Sequence, residues 1–496
     1  MQTRAPYAPR ASLLAFALLA ASTVAAGAQT LEWRFDNVTD FNSNIVRNRS
    51  GSTAYNGTLL GGHTQTRGAL GNAADFNGSN GYLRASGTTG LRFPSGMTVE
   101  AFVRRDSNHS EDGVVSKWYG GDQFLLTFYP TGHGRLQFGI RDGANRYGSL
   151  YYDFPDSVYL GEWIHVAATY NGSGRLRLYV DGTLVASANR TVNGMAYGGR
   201  PIQAGDSGNS WSRFDGAIDE VKVWNYERSP GQLDHPLRPR VLVVEYDSTN
   251  PTYNNPHVIS DGMIDDIRSS SQFVEFEIAQ WVNTGSLPPQ RSGGGFDYAG
   301  LYSTYNVCAR AGRGEIHEVW VWAGPDGGML EWAVNGPRRE AYGLGVGMPA
   351  CTVQTVTMGF NYERNLPEAL HSMGHRLENN FRHFWGSYWN AFDGQYHRYG
   401  VTTQPPIQIN DNHCGNIHFP PNADAHYEYD SGDWIRSNCP TWRSDGGGSY
   451  PWINCNAWGC NEEGFLNWWM SEAPGPSNNH GPGGSRLENW WTTLVQ

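Results

Sequence analysis

The sequence predicts a multidomain chain, an all-β sandwich followed by an α/β domain with a mainly parallel sheet and disulfide-stapled loops. Three observations carry this. Short alternating apolar runs punctuated by Gly, Asn and Asp fill residues 30–230. Beyond residue 240 continuous apolar runs alternate with helical periodicity. All six cysteines (Cys308, Cys351, Cys414, Cys439, Cys455 and Cys460) lie in that second half.

Residues 1–28 read as an export signal. Arg4 and Arg10 precede the apolar run Ala11 to Val24, and Ala26-Gly27-Ala28 supplies the small-residue cleavage pattern. That run is too short to span a bilayer, and no other stretch approaches the roughly 20 apolar residues required. The expectation is a secreted protein, extracellular or periplasmic, with no membrane span in the mature chain. Formal charge is −11 overall, and removing a segment with two Arg and no acid leaves −13. Such an acidic chain repels phosphate backbones, which argues against nucleic acid as a partner. In an oxidising compartment six cysteines imply three disulfides, with 15 connectivities that the sequence leaves open. The spacing Cys455-x4-Cys460 is not that of a zinc knuckle.

In the first half, Met97 to Val103 and Phe124 to Phe128 are strands. Ile164, Val166, Ala168 and Tyr170 share one strand face. The turn Asn171-Gly172 leads to the return strand of Leu176, Leu178 and Val180, and Asp181-Gly182 turns again. Many strands without a helical pattern imply two packed sheets. The segments GEWIHVAATYNGSGRLRLYVDGTLVA (161–186) and FDGAIDEVKVWNYERS (214–229) resemble the two signature hairpins of laminin G-like domains, members of the concanavalin A-like lectin and glucanase jelly rolls. LEWRFDN (31–37), AADFNGSNGYL (73–83) and TVEAFVRRD (98–106) resemble the family's opening strands. The resemblance covers about 200 residues. It implies a jelly roll over 30–230 that binds a glycan or cell-surface ligand, but the fold alone does not choose among sugar binding, protein binding and catalysis. The family's glucanases carry E-x-D-x-x-E on one strand, and this region lacks it. Glu100 has no acidic neighbour in sequence, and strand alternation sends Asp219 and Glu220 to opposite faces. Without two convergent carboxylates, glycoside hydrolysis is not expected here. The resemblance also implies a structural calcium ion, with Asp36 and Asp219 as its ligands. Otherwise Asp36 is a turn former and Asp219 a hydrogen-bonded strand-end residue.

Residues 231–239 read as a linker, since the stretch Ser229 to Arg240 holds three prolines and no periodicity. The domain over 240–496 opens with the buried strand Val241 to Tyr246. It continues with a helix from His257 to Ser270, whose apolar face is Ile259, Met263, Ile264 and Ile267. Strands are expected at Phe273 to Ile278, Ile316 to Trp322 and Thr352 to Gly359. Ligands of such sheets sit beyond the carboxyl ends of the strands, near Glu245 to Asp247 and Asn361 to Arg364.

The longest helical pattern runs from Asn365 to Trp385. Leu366, Leu370, Met373, Leu377, Phe381 and Phe384 form its apolar stripe. His371, His375, Glu378 and Arg382 fall within an arc of about 60°. His371 and His375 have the i, i+4 spacing of H-E-x-x-H zinc proteases, but Ser372 stands where those carry the general base. His375-x-x-Glu378 matches the ligand pair of zinc carboxypeptidases, and His418 is the candidate third ligand, with His413 and His426 nearby. In this reading His375, Glu378 and His418 hold a zinc-like ion and Glu363 or Glu368 is the base. The domain is then a hydrolase. The competing expectation is a solvated stripe on an ordinary helix, in a non-catalytic carbohydrate-binding or adhesion protein of the cell envelope. Which applies depends on whether another segment roofs the stripe. Glu368, in the first turn, also suits the helix dipole. Fourteen of the 19 Trp follow residue 231. They are core filler in a loop-rich domain or, where exposed, platforms for sugar rings. The second half, with MGFNYER, GHRLE and CGNIHFPPNA, also resembles a domain recurring in secreted bacterial proteins, which implies a fixed fold and no particular activity.

Overall fold

The computed structural model describes residues 29–494 except 51, 86–90, 109–110, 119–122, 156–158, 209–212, 236, 247–253, 337–346, 394–412, 445–447 and 476–488. The expected export segment and Asp247 lie outside the described residues. No helix among the described residues is long and apolar enough to cross a membrane.

The first region is two eight-stranded antiparallel sheets packed face to face. One is ordered Thr183–Asn189, Arg175–Val180, Trp163–Tyr170, Met97–Arg105, Asp215–Trp224, Asn72–Asn77 and His63–Arg67, with Gln29–Trp33 also paired to Asp215–Trp224. The other is ordered Tyr147–Asp153, Arg135–Arg141, Phe124–Tyr129, Asp112–Lys117, Ile202–Ala204, Tyr82–Ala85, Gly57–Leu60 and Ile45–Val46. Alternation sends Val99, Ala101, Val103, Ile164, Val166 and Ala168 into the core between the sheets. On the two central strands of the first sheet the intervening Thr98, Glu100, Phe102, His165, Ala167 and Thr169 are buried as well. Phe102, Trp163 and Ala217 join a second apolar core together with residues of the following region.

Alternation fails at Asp219. The ladder of Asp215–Trp224 with Met97–Arg105 shifts register between Asp219 and Lys222, and Glu220 has φ +46°. This bulge breaks the period-2 rule. Asp219 and Glu220 therefore sit in mutual repulsion with Asp36 instead of on separated faces. Part of the expected linker is packed down. Leu233 and Leu237 are buried, and the Asp234 amide donates to Glu100 Oε2 at 2.7 Å.

The second region is mixed. Its sheet is ordered Glu277–Asn283, Arg240–Glu245, Glu318–Ala323, Thr355–Asn361 and Trp332–Asn335; the first four strands are parallel and the last is antiparallel. Val241, Val243, Trp320, Met358 and Phe360 face the helices Pro256–Ser271, Leu366–Trp385 and Glu462–Glu472. Leu242, Val244, Val319 and Val321 face Tyr298–Thr304 and Val307–Ala311 on the other side. The first edge strand lies a few residues beyond its expected position. Phe273, Val274 and Phe276 are buried ahead of it, where Val274 bridges to Leu237. Disulfides join Cys308 to Cys351, Cys414 to Cys439 and Cys455 to Cys460.

The helix Leu366–Trp385 organises this region. Its 20 residues include no β-branched side chain, and Glu368 accepts the Asn365 N–H at 3.2 Å to close the first turn. Gly386, at φ +45°, ends it. Arg376, 1% exposed, forms a two-pronged pair with Glu318 on the central strand, at 2.8 and 2.5 Å, and also donates to the Leu494 carbonyl at 2.5 Å. The Trp320 indole N–H donates to the same carboxylate at 3.1 Å. Replacing Arg376 by Met strands Glu318 in the core, and the expected loss is about 3–5 kcal/mol of unfolding free energy by urea denaturation. Adding Glu318→Leu to that variant should recover most of it, because no buried charge then remains. A single-variant loss below about 1 kcal/mol would mean the carboxylate finds water.

Candidate functional site

The polar stripe of this helix is covered at His371 and Glu378, half-covered at His375 and exposed only at Arg382. The segment Cys414 to Tyr429, stapled by Cys414–Cys439, lies across it. Gly374 marks the contact, since a Cβ there would lie 2.5 Å from Ile417 Cγ2. Glycine in a helix interior costs about 1 kcal/mol relative to Ala, and here it lets the roof approach. The roof carries His418 onto the helix. His418 Nε2 is 3.1 Å from His371 Nε2, and the His375 ring centroid is 4.9 Å from both the His371 and His418 centroids. One ligating atom from each of His371, His375 and His418 lies within 4.8 Å of the other two.

Carboxylates surround the three rings. Glu378, 6% exposed, accepts the Ile417 N–H on Oε1 at 3.1 Å and places Oε2 3.7 Å from His375 Nδ1. Glu462, in the first turn of the last helix, lies 3.2 Å from His371 Nδ1. Glu331 lies 3.6 Å from His375 Nε2. Burial and the neighbouring His371, His375 and His426 rings hold His418 down to about 4, so it is neutral at physiological pH. Burial alone would lower His375 too, but Glu378 and Glu331 outweigh it and raise its pKa. Tyr427 takes φ +65°, unusual for a residue with a side chain, and its ring centroid is 4.9 Å from that of His418. The Tyr429 hydroxyl donates to the Ile417 carbonyl at 2.7 Å and fixes the roof from behind.

A cleft of about 220 Å³ opens beside the cluster. It is lined by Trp322, Gly324, Phe360 and Asn361 at the carboxyl ends of two parallel strands, and by Glu331, Glu368 and Ser372. This is the rim expected for a ligand of a parallel sheet.

Among the expected site residues, His375 and His418 are brought together. Glu378 takes the position behind His375 rather than a place among the three closely spaced ligating atoms, and His371 supplies the third. The i, i+4 pair thus converges, where the sequence favoured the i, i+3 pair. Glu368 is engaged with the helix start and lines the cleft, while Glu363 is exposed in the preceding turn. Glu331, Glu462, Tyr427 and Tyr429 were not anticipated. The one sequence signal for Glu462 was its position after Asn461, which caps its helix. His413 is buried, with its carbonyl bonded to the Ser437 hydroxyl at 2.9 Å, and His426 stacks near Phe419. Trp389, Trp442, Trp458, Trp469, Trp490 and Trp491 are core residues, whereas Trp434 and Trp452 are 61% and 63% exposed.

The expected calcium ligands form a separate cluster. Asp36 and Asp219 are fully buried. Asp36 Oδ1 accepts the Asn72 N–H at 3.0 Å, and Asp219 accepts the Leu70 and Glu220 N–H groups at 3.0 and 2.8 Å. Asp36 Oδ2 is buried without a hydrogen-bond partner. Burial first, then the charge of Glu220, pushes Asp36 up to about 7. The same two causes, joined by Asp36, push Asp219 well up.

Residues 77–234 match the family model described as the concanavalin A-like lectin/glucanases superfamily. This stretch is a laminin G-like jelly roll. Among curated proteins none matches the chain. Solved structures similar to it include the receptor binding domain of botulinum neurotoxin C/D mosaic serotype, at 16% identity over 41% of this chain and 49% of that one, with a TM-score of 0.34. The binding domain of Paraclostridial Mosquitocidal Protein 1 is similar at 14% identity over 41% and 50%, with a TM-score of 0.34. The ligand binding domain of botulinum neurotoxin serotype D, solved in complex with N-acetylneuraminic acid, is similar at 17% identity over 41% and 49%, with a TM-score of 0.32. The chain spans about half the length of each.

Proposed function

We propose that the chain is a secreted protein in which a glycan- or surface-binding jelly roll is joined to a metal-dependent hydrolase. Convergence of His371, His375 and His418 under a stapled roof, beside a cleft at the sheet rim, carries the reading. The export-type segment 1–28 and three disulfides support secretion.

Three convergent imidazoles suit a divalent transition ion such as zinc. Nitrogen ligands at 2.0–2.1 Å in tetrahedral geometry lie about 3.3 Å apart, close to the 3.1 Å between His371 and His418. A bound ion would supply an acidified water and polarise a scissile carbonyl. The chain's own residues do the rest. Glu378 and Glu462 sit behind His375 and His371 and fix their ring orientations, as outer carboxylates do for metal-ligating histidines. Glu331, facing the cleft near His375, is placed to accept a proton from attacking water, the role that the sequence gave to Glu363 or Glu368.

Metal analysis of the full chain should find about one equivalent of a transition ion. His371→Ala, His375→Ala or His418→Ala should reduce it below about a tenth, and Glu378→Gln should weaken affinity about 10–100-fold in chelator competition. Less than a tenth of an equivalent in the unaltered chain, after purification without chelator and addition of zinc, would remove the metal from the proposal.

Turnover is tested on ester and amide substrates and on peptidoglycan. His375→Ala should lower any hydrolysis by about a hundredfold or more. Hydrolysis unchanged in that variant would exclude the site. Absence of turnover by a metal-loaded chain that binds glycan would favour the non-catalytic adhesion protein.

Calcium at Asp36 and Asp219 is proposed for the jelly roll, supported by the unpartnered buried oxygen of Asp36. A proton competes for that position. The raised pKa means that the neutral form stabilises the fold fully below about pH 4, and that this stabilisation is lost as pH rises through about 7. Millimolar calcium should therefore raise the thermal midpoint at pH 8 and leave it unchanged at pH 5. No shift at pH 8 would leave a shared proton, or hydrogen bonding alone, as the account of this pair.

A further inference from the structure

The outward face of the second sheet holds a group of side chains that neither the histidine cluster nor the core uses. The strands Phe124–Tyr129, Arg135–Arg141 and Tyr147–Asp153 lie side by side there. Phe124, Leu126, Phe128, Leu136, Phe138 and Ile140 point into the core. Period-2 alternation therefore sends Tyr129, Gln137, Tyr147 and Tyr151 outward.

These four converge. Gln137 is paired across the ladder with Tyr151. Its amide donates to the Tyr147 hydroxyl at 2.5 Å and to the Tyr151 hydroxyl at 3.3 Å. Gly139 lets the Tyr147 ring lie across the sheet, since a Cβ there would come within 2.7 Å of the Tyr147 hydroxyl. Trp118 packs against Tyr147 with ring centroids 5.4 Å apart. The Tyr129 hydroxyl is hydrogen-bonded to the Glu111 carboxylate. Polar groups thus meet at one place, ringed by aromatic faces. Tyr147 and Tyr151 remain 44% and 43% exposed although held in position.

The charged side chains beside this group are all engaged, one of them in an ion pair. Arg135 pairs with Asp153 at 2.6 and 2.9 Å, and Arg141 lies over the Trp118 ring and donates to Asn145. The face is thus preorganised, aromatic and rich in hydroxyl and amide groups, and beside it Arg141 and Glu111, one charge of each sign, bond neutral side chains. A sugar fits such a surface, because its C–H face packs on aromatic rings while its hydroxyls bond at the edge. The corresponding outer face of the first sheet is covered in part by the second region through Phe102 and Trp163, whereas among the described residues none of the second sheet joins that core.

We infer that this face, centred on Gln137, Tyr147 and Tyr151, is the glycan-binding site of the jelly roll, and that it takes a neutral oligosaccharide. The inference rests on the glycan-binding reading above and adds the location and the charge class. Its test is calorimetric titration of the full chain with cellohexaose and chitohexaose, which are neutral, and with heparin. At least one neutral oligosaccharide should bind. Tyr147→Ala and Tyr151→Ala should each weaken it about tenfold or more, while the thermal midpoint and metal content stay as in the unaltered chain. If Tyr147→Ala lowers the midpoint, Tyr151→Phe decides. It keeps the ring, loses the hydroxyl that Gln137 bonds, and should weaken binding by about threefold. Neutral glycan binding with unchanged affinity in the tyrosine variants overturns the location and leaves the glycan reading standing. Binding of heparin alone overturns the location and the charge class, and binding of none of the three overturns the glycan reading with them.

Discussion

The second region depends on how the polar groups of one buried helix are satisfied. Between Ala369 and Phe381 nearly every residue is shielded, yet this span includes Arg376, Glu378 and Asn380. A buried charge or amide without a partner costs several kcal/mol, so each requires a segment to come to it. Arg376 takes Glu318 from the central strand and the carbonyl of Leu494 from the chain end. Asn380 takes the Thr493 carbonyl at 3.0 Å. Glu378 takes the Ile417 amide from the stapled roof. Sheet, roof and terminal turn are located by three side chains spaced over little more than one helical turn.

The two regions are likewise fixed to one another. Ala69, Leu70, Ala73, Phe102, Trp163 and Ala217 of the sandwich share an apolar core with the helices of the second region. Polar contacts add direction. Arg34 donates to the Gly314 carbonyl at 2.9 Å, Arg49 to that of Arg313 at 2.8 Å, and the Asn489 amide to Glu162 at 3.0 Å. Gly314 comes so near Asp36 that a Cβ would lie 1.9 Å from its carboxylate. A jelly roll held in this way presents its second sheet at a fixed orientation to the rest of the chain, unlike a module on a flexible tether.

Local patterns made much of this architecture legible. The alternation of Ile164, Val166 and Ala168, the continuous run from Val241, and the 3.6-residue period from Leu366 each report a side chain's relation to its own element. What periodicity cannot report is what arrives from elsewhere. The stripe of His371, His375 and Glu378 lies opposite the apolar stripe and reads as solvated, because the segment around Ile417 that covers it is some 40 residues further on. Gly374 was the local trace of that cover, and it reads in sequence only as a poor helix former. Glu331 and Glu462 come from a loop and a helix with no motif in common. The Asp219 bulge escaped for a related reason, since a register shift belongs to the pairing of two strands and has no signature in either one.

The roof also bears on which pair of the helix would ligate the proposed ion. Glu378 could approach a shared ion with His375 only by turning its carboxylate toward the cleft. One of its oxygens already holds the Ile417 amide, and that bond sets the roof on Gly374 and delivers His418 to the cluster. Releasing it would leave a buried amide unpaired and would free the loop that carries the third imidazole. His371 has no such tie among its ring contacts. It faces His418 on Nε2 and Glu462 on Nδ1, the two-sided environment in which one ring nitrogen is oriented and the other is free to ligate. In the proposed metal site the His-x-x-Glu spacing would therefore build the pocket, and the His-x-x-x-His spacing would furnish its donors.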